Sequence, residues 1–124
     1  MSRFISHVQV PVQDLERAAE WYVQYLDCEF LANFGDFALV RFKNDGVNIF
    51  LWKTSDETTA SFTVNGTPRA TIGFEVDDMD ALREKILQSG TRIEGDGLAA
   101  PDDEGRRFFI FSDLYGNWLV AHTA

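Results

Sequence analysis

The side chains that could carry out chemistry are few in this sequence, and they match no familiar catalytic motif. The chain has two histidines, His7 and His122, and a single cysteine, Cys28, whose neighbours give no reason to expect a reactive thiol. Neither a glycine-rich phosphate loop nor a Gly-x-Ser-x-Gly elbow is present. Asp77 and Asp78 precede an apolar helical pattern, where carboxylates accept backbone N–H bonds, so a helix cap is favoured over an acid–base pair.

Aromatic side chains offer a different kind of chemistry, the stacking of a flat ligand. The chain has eleven Phe, three Trp and three Tyr, and Phe50, Trp52 and Trp118 have faces on which an aromatic or heteroaromatic ring could stack. Trp also attracts cations. Two simpler interpretations remain open: these side chains fill a core, and the acidic charge described next only keeps the protein in solution.

The charge of the chain limits its partners. The formal net charge of −9 agrees with a cationic or neutral ligand and disfavours nucleic acid, because no basic stripe could neutralise phosphates. No apolar run approaches membrane-spanning length, and the N-terminus lacks a signal-peptide pattern. The lone cysteine excludes an internal disulfide and a cysteine-rich metal site. We therefore expect a cytoplasmic protein with no nucleic-acid or membrane partner.

The elements that must position these side chains occur twice in the sequence. Residues 7–15 align with residues 71–79, and the apolar side chains keep the same alternation. Such alternation predicts strands at 4–12 and 70–76, each with one apolar face. Asp14 and Asp78 stand in capping position before amphipathic patterns, which predict a helix after each strand.

The rest of each half predicts three further strands. In the first half they fall at 28–33, 37–43 and 47–52, with a hairpin signal at Asn44-Asp45-Gly46; in the second they fall at 92–94, 106–112 and 118–122, with 95–105 as a loop. The sequence therefore predicts one α+β domain, 1–124, made of two strand-helix-strand-strand-strand modules. Their bounds are roughly 1–54 and 68–124, and a polar connector, 55–67, joins them.

Two motifs give this order a family resemblance. The first is His-x-x-x-x-Val-x-Asp-Leu-x-x-Ala, starting at His7, and the second is Phe-Ser-Asp-Leu-Tyr-Gly-Asn-Trp, starting at Phe111. Together with the doubled order, they resemble the glyoxalase, bleomycin-resistance and extradiol-dioxygenase superfamily, also called vicinal oxygen chelate, over nearly the whole chain. The resemblance implies two βαβββ modules whose sheets form a half-open barrel with the ligand on its concave side.

Metal-dependent members of that superfamily hold a divalent ion with His and Glu side chains at equivalent positions of the two modules. Of these positions only the first, His7, carries a suitable ligand, because Phe50, Thr71 and Val120 occupy the others. A shift of two residues, about 7 Å along a strand, would offer Glu75 and His122 instead. These departures from the family pattern predict that no cofactor is bound, and the alternative is one divalent metal ion held by His7, Glu75 and His122.

The predicted ligand-binding residues come from the strand faces that the resemblance places toward the groove. They are His7, Asn48, Phe50, Trp52, Thr71, Glu75, Trp118, Val120 and His122. Glu75 and the acidic run 102–104 would add affinity for positive charge. The combination resembles the drug-sequestering branch: a metal-free homodimer that binds an aromatic small molecule, cationic or neutral. The alternative is a metal-dependent lyase, isomerase or dioxygenase with a site rearranged around His7.

Overall fold

The structure, a computed structural model, describes residues 2–43, 46–99 and 101–124, with side chains for all of these except 96–99. The predicted hairpin signal at 44–46 lies largely outside the described residues. The chain divides into two compact units, Met1–Thr59 and Ala60–Ala124. The organisation as one domain with a separate connector stays a prediction.

The first unit contains one helix and one four-stranded sheet. Its elements are β1 (His7–Val12), α1 (Leu15–Leu26), β2 (Cys28–Asn33), β3 (Phe37–Phe42) and β4 (Asn48–Lys53). The strand order is β1-β4-β3-β2, with β1 parallel to β4 and the other pairs antiparallel. Because parallel strands need a long connection, α1, β2 and β3 together provide the link between β1 and β4.

Helix α1 forms because its ends are capped and one side is apolar. The Asp14 carboxylate accepts a hydrogen bond from the Arg17 backbone N–H at 2.9 Å, and the helix ends at Asp27, which has the left-handed φ of 55° typical of a C-cap. Leu15, Ala18, Ala19, Trp21, Tyr22 and Leu26 of this helix are buried. They form the core of the unit with the buried strand residues Val10, Val12, Ala38, Val40, Ile49 and Leu51.

The second unit repeats this arrangement after a short hairpin. Its elements are β5 (Phe62–Val64), β6 (Thr67–Arg69), β7 (Ile72–Glu75), α2 (Met79–Ser89), β8 (Ile93–Ala99), β9 (Phe108–Ser112) and β10 (Trp118–His122). The four-stranded sheet has the order β7-β10-β9-β8, with β7 parallel to β10. Asp78 caps α2 through the Ala81 N–H. The predicted α+β class and the doubled βαβββ order are therefore confirmed, and both sheets are open.

Several strand bounds differ from the predicted ones. The loop predicted at 95–105 begins too early, because β8 continues to Ala99 against β9; a register shift between Ile93 and Leu98 includes Gly95, whose φ is +59°. The β5–β6 hairpin, 62–69, begins within the predicted connector, 55–67, and ends two residues beyond it; Asn65 and Gly66 at its turn both have positive φ. Strand β1 begins at His7 rather than at Phe4, whose side chain is 82% exposed.

Within the described residues, no helix is long and apolar enough to cross a membrane.

Candidate functional site

The first sheet has one face covered by α1 and one face that carries the predicted site residues. Ile49 and Leu51 of β4 are buried, so alternation places Asn48, Phe50 and Trp52 on the opposite face. The parallel register pairs His7 with Asn48, which puts both side chains on this face as well. We call it the open face of the first sheet. The register therefore brings together the predicted residues of the first unit.

A continuous stack of rings runs along this open face. The rings of His7 and Phe50 have centroids 4.4 Å apart, and those of Phe50 and Phe37 are 5.2 Å apart and nearly parallel, at 8°. Phe37 also stacks on Trp52, with centroids 4.6 Å apart, and Phe34 extends the row at 5.0 Å. Stacked contacts of this kind are favourable and restrict ring motion. The result is an aromatic surface held in shape before any ligand binds.

Two polar contacts fix the ends of the stack. The indole N–H of Trp52 donates to the Oε1 of Gln9 at 2.6 Å, and Nδ1 of His7 lies 2.9 Å from the hydroxyl oxygen of Ser6. Sequence reasoning missed Gln9 and Phe37 as site residues. Alternation within β3 would have placed Phe37 on the same face as its partner in β4, Trp52.

The second sheet gathers the other predicted residues into a smaller group. Val120 pairs with Gly73, and His122 pairs with Glu75, so these side chains share one face of neighbouring strands. A Cβ added at Gly73 would lie 3.3 Å from Cγ1 of Val120, so the two strands leave little room between them there. His122 donates from Nδ1 to the carbonyl of Thr123 at 2.9 Å.

Trp118 and Thr71 already have partners within the second unit. The guanidinium carbon of Arg92 lies 5.4 Å from the Trp118 ring centroid, a cation–π distance. The Thr71 hydroxyl donates to the carbonyl of Ala60. Trp118 therefore already holds one cation, and Thr71 helps to hold the chain ahead of β5.

The acidic run at 102–104 is occupied by a neighbouring arginine. The backbone N–H of Arg106 donates to Asp102 at 2.9 Å, and this bond is the main reason why the pKa of the Asp102 carboxyl lies below its usual value. The side chain of Arg106 also bonds Asp102 and lies 3.8 Å from Glu104. Because Arg106 offsets this negative charge, the expected attraction for a cationic ligand is weaker here than the sequence indicates.

The donor set around His7 fits a divalent metal poorly. The family resemblance implies an acidic metal ligand at the position of Phe50, and the Phe50 ring instead stacks directly on His7. Among the described side chains, no three His, Cys, Asp or Glu residues come together as a metal would require. Glu75 and His122 are neighbours in the second sheet, whereas His7 belongs to the first unit.

A groove in the first unit lies away from these residues. Its volume is about 740 Å³, and it is lined by one side of α1 from Glu16 to Gln24 and by Phe30 and Asn33 of β2. None of the predicted site residues borders it. The aromatic stack gathers rings and polar contacts on one surface, whereas the groove lies beside β2, at the edge of the sheet.

The sequence and the fold together identify the family. The sequence model of the Glyoxalase/Bleomycin resistance protein/Dioxygenase superfamily matches residues 6–111, so the chain belongs to that superfamily, as the motifs predicted. No curated protein matches the chain in sequence.

Proteins whose solved structures have the same fold are named for different functions. A fosfomycin resistance protein, FosX, from Listeria monocytogenes has a TM-score of 0.78 at 17% identity, covering 100% of this chain and 95% of its own. An antibiotic binding protein, TnmS3, from Streptomyces sp. CB03234 has a TM-score of 0.72 at 21% identity, with 98% and 96% covered. The oxidase ChaP-H2 has a TM-score of 0.71 at 21% identity, with 100% and 95% covered. At these identities the likeness shows the fold alone.

Proposed function

We propose that the chain is a metal-free, cytoplasmic, homodimeric binding protein that sequesters an aromatic small molecule, cationic or neutral. The observation that carries the proposal is the stack of His7, Phe50, Phe37 and Trp52 on the open face of the first sheet. A flat ligand that covers these rings gains apolar burial and further stacking contacts. Sequestration requires affinity alone, so no catalytic group is needed.

The residue at one metal-ligand position of the superfamily supports binding over catalysis. Phe50 stands where metal-dependent members of the superfamily have an acidic ligand, and it contributes a ring to the stack instead. Trp52 is 38% exposed, so its ring can still contact a bound molecule while Gln9 holds its N–H. Two proteins with the same fold are named for antibiotic binding or antibiotic resistance, which agrees with this proposal.

The first prediction tests Phe50. Tryptophan fluorescence titration against a panel of neutral and cationic polycyclic aromatic compounds is expected to show saturable quenching at micromolar ligand. Phe50→Leu keeps an apolar side chain but removes the central ring, so we expect affinity to fall about tenfold. Phe62→Leu is the matched control, because Phe62 is 53% exposed in β5 and belongs to the second unit, whereas the stack belongs to the first. Absence of quenching by any compound, with folded protein, would refute the proposal.

A metal-dependent lyase, isomerase or dioxygenase is the second candidate. It rests on the pairing of Glu75 with His122 in the second sheet, which places an imidazole beside a carboxylate. Elemental analysis of protein purified without chelator separates the two candidates. A stoichiometric transition metal that is lost in His7→Ala would favour the enzyme and count against the metal-free proposal.

A further inference from the structure

A row of polar side chains crosses the first sheet next to the aromatic stack. Asn48 pairs with His7 on one side and with Arg41 on the other, and Arg41 pairs with Glu29. Directly paired residues point to the same side of a sheet, so all four lie on the open face. The next row, which contains Phe50, is about 7 Å away along the strands. A polar substituent on a ring that covers Phe50 would therefore reach the polar row.

Arg41 and Glu29 form an ion pair that solvent can reach. Nε of Arg41 donates to Oε1 of Glu29, and the two side chains are 41% and 38% exposed. Exposed pairs of this kind contribute little to stability, so a ligand could open the pair at low cost. Within the described residues the guanidinium uses Nε alone, and a carboxylate has several acceptor sites. The row therefore presents a strong donor and a strong acceptor side by side.

We propose that this ion pair selects ligands whose aromatic ring carries a neutral group with an adjacent acceptor and donor, such as a carboxamide. The proposal rests on the proposed function, since the ring of the ligand must lie on the aromatic stack. The amide carbonyl accepts from the guanidinium of Arg41, and the amide N–H donates to the carboxylate of Glu29. Asn48 of β4, which pairs with Arg41 of β3, adds its own side-chain amide to the polar row.

Charge balance explains why a neutral group fits better than an ion. A carboxylate on the ligand would pair with Arg41 but would lie next to the like charge of Glu29. An ammonium group would pair with Glu29 but would lie next to the like charge of Arg41. An inserted amide keeps both side chains in charge-assisted hydrogen bonds. The polar row thus distinguishes ligands that would bind to the aromatic stack alone with equal affinity.

Three compounds with the same ring test this selection. Calorimetric titration of the full chain with naphthalene carboxamide, naphthoate and naphthylmethylamine compares a neutral, an anionic and a cationic substituent. The expected order places the carboxamide first, about tenfold tighter than either ion.

Two substitutions should each change that order of affinities, and each should favour a different ion. Glu29→Gln leaves Arg41 without its carboxylate and is expected to move naphthoate to first place, whereas Arg41→Gln is expected to favour naphthylmethylamine. Glu57→Gln and Lys53→Gln are the matched controls. Glu57→Gln makes the same change in net charge as Glu29→Gln, and Lys53→Gln makes the same change as Arg41→Gln. Glu57 lies beyond β4, and Lys53 is paired with the buried Val12, so it points to the face opposite the polar row.

The outcomes separate the two proposals. Equal affinity for the three compounds, with no change of order in either variant, would overturn the selection by the ion pair and leave stacking on the aromatic surface intact. If none of the compounds binds and the aromatic panel also fails, the proposed function itself is overturned, and the selection falls with it. Circular dichroism confirms that each variant remains folded before it is counted.

Discussion

At the scale of a single residue, Cys28 shows how burial controls reactivity. Its side chain is buried at the start of β2, and burial raises the pKa of the thiol from 9.0 to about 12, with the neighbouring Asp27 adding to the effect. Because the thiolate is the reactive species, the folded protein should hold this thiol almost entirely in its inert form at neutral pH.

The second prediction follows from this pKa. At pH 8 we expect a thiol reagent to label Cys28 very slowly in the native protein and fully in denaturant, which mass spectrometry measures. The thiol is neutral in both states below pH 9, and above pH 9 it ionises only in the unfolded chain. The free energy of unfolding should therefore fall as the pH rises from 9 toward 12. Rapid labelling of the native protein at pH 8 would contradict the burial of Cys28.

The site residues of the first unit were partly predictable at this scale. Alternation alone places Asn48, Phe50 and Trp52 on one face, because side chains in a strand change sides at every residue. The stack also depends on Phe37, and the ion pair joins Glu29 to Arg41 across β2 and β3. These contacts depend on which residues face each other in neighbouring strands, and no periodicity within one strand contains that register.

At the scale of elements, the two helix caps make comparable contributions in the two units. Asp14 and Asp78 each accept a backbone N–H three residues later, at 2.9 and 3.0 Å. The third prediction is that Asp14→Ala and Asp78→Ala each lower the free energy of unfolding by about 1 kcal/mol. Urea denaturation measures the change. Asp36→Ala removes the same charge from an exposed turn and should have a smaller effect; equal losses in all three variants would contradict capping.

Elements were predictable where one strong pattern dominates, and less so where local signals conflict. The α1 and α2 helices follow from a cap and an apolar stripe, and both appear in the structure. Strand β8 was predicted too short because Gly95 and Gly97 are poor strand formers. Pairing with β9 supplies the hydrogen bonds that override this local preference, and such long-range pairing leaves no trace in the residues of β8 themselves.

At the scale of the whole molecule, exposed apolar side chains offer a surface for the homodimer that we propose. Phe30 and Leu31 of β2 are neighbouring residues, and they are 52% and 37% exposed. Neighbouring exposed apolar residues commonly mark a protein interface. The homodimer that we propose would cover such a surface and would also bring together two chains that each carry a charge of −9.

The fourth prediction concerns this dimer. Sedimentation equilibrium should give twice the chain mass of 14.1 kDa at micromolar protein. Added salt should strengthen the association, because it screens the repulsion between two acidic chains. A mass of 14.1 kDa at every protein and salt concentration would exclude the dimer.

The irregular pairing in β2 has a consequence for how copies of this chain can meet. β2 is an edge strand, and its register with β3 shifts between Phe30 and Ala32. A regular edge offers an unbroken series of amide and carbonyl groups that can template fibril growth, whereas a bulge interrupts that series and bends the strand. The apolar residues of β2 are therefore displayed on a backbone that resists strand-by-strand polymerisation.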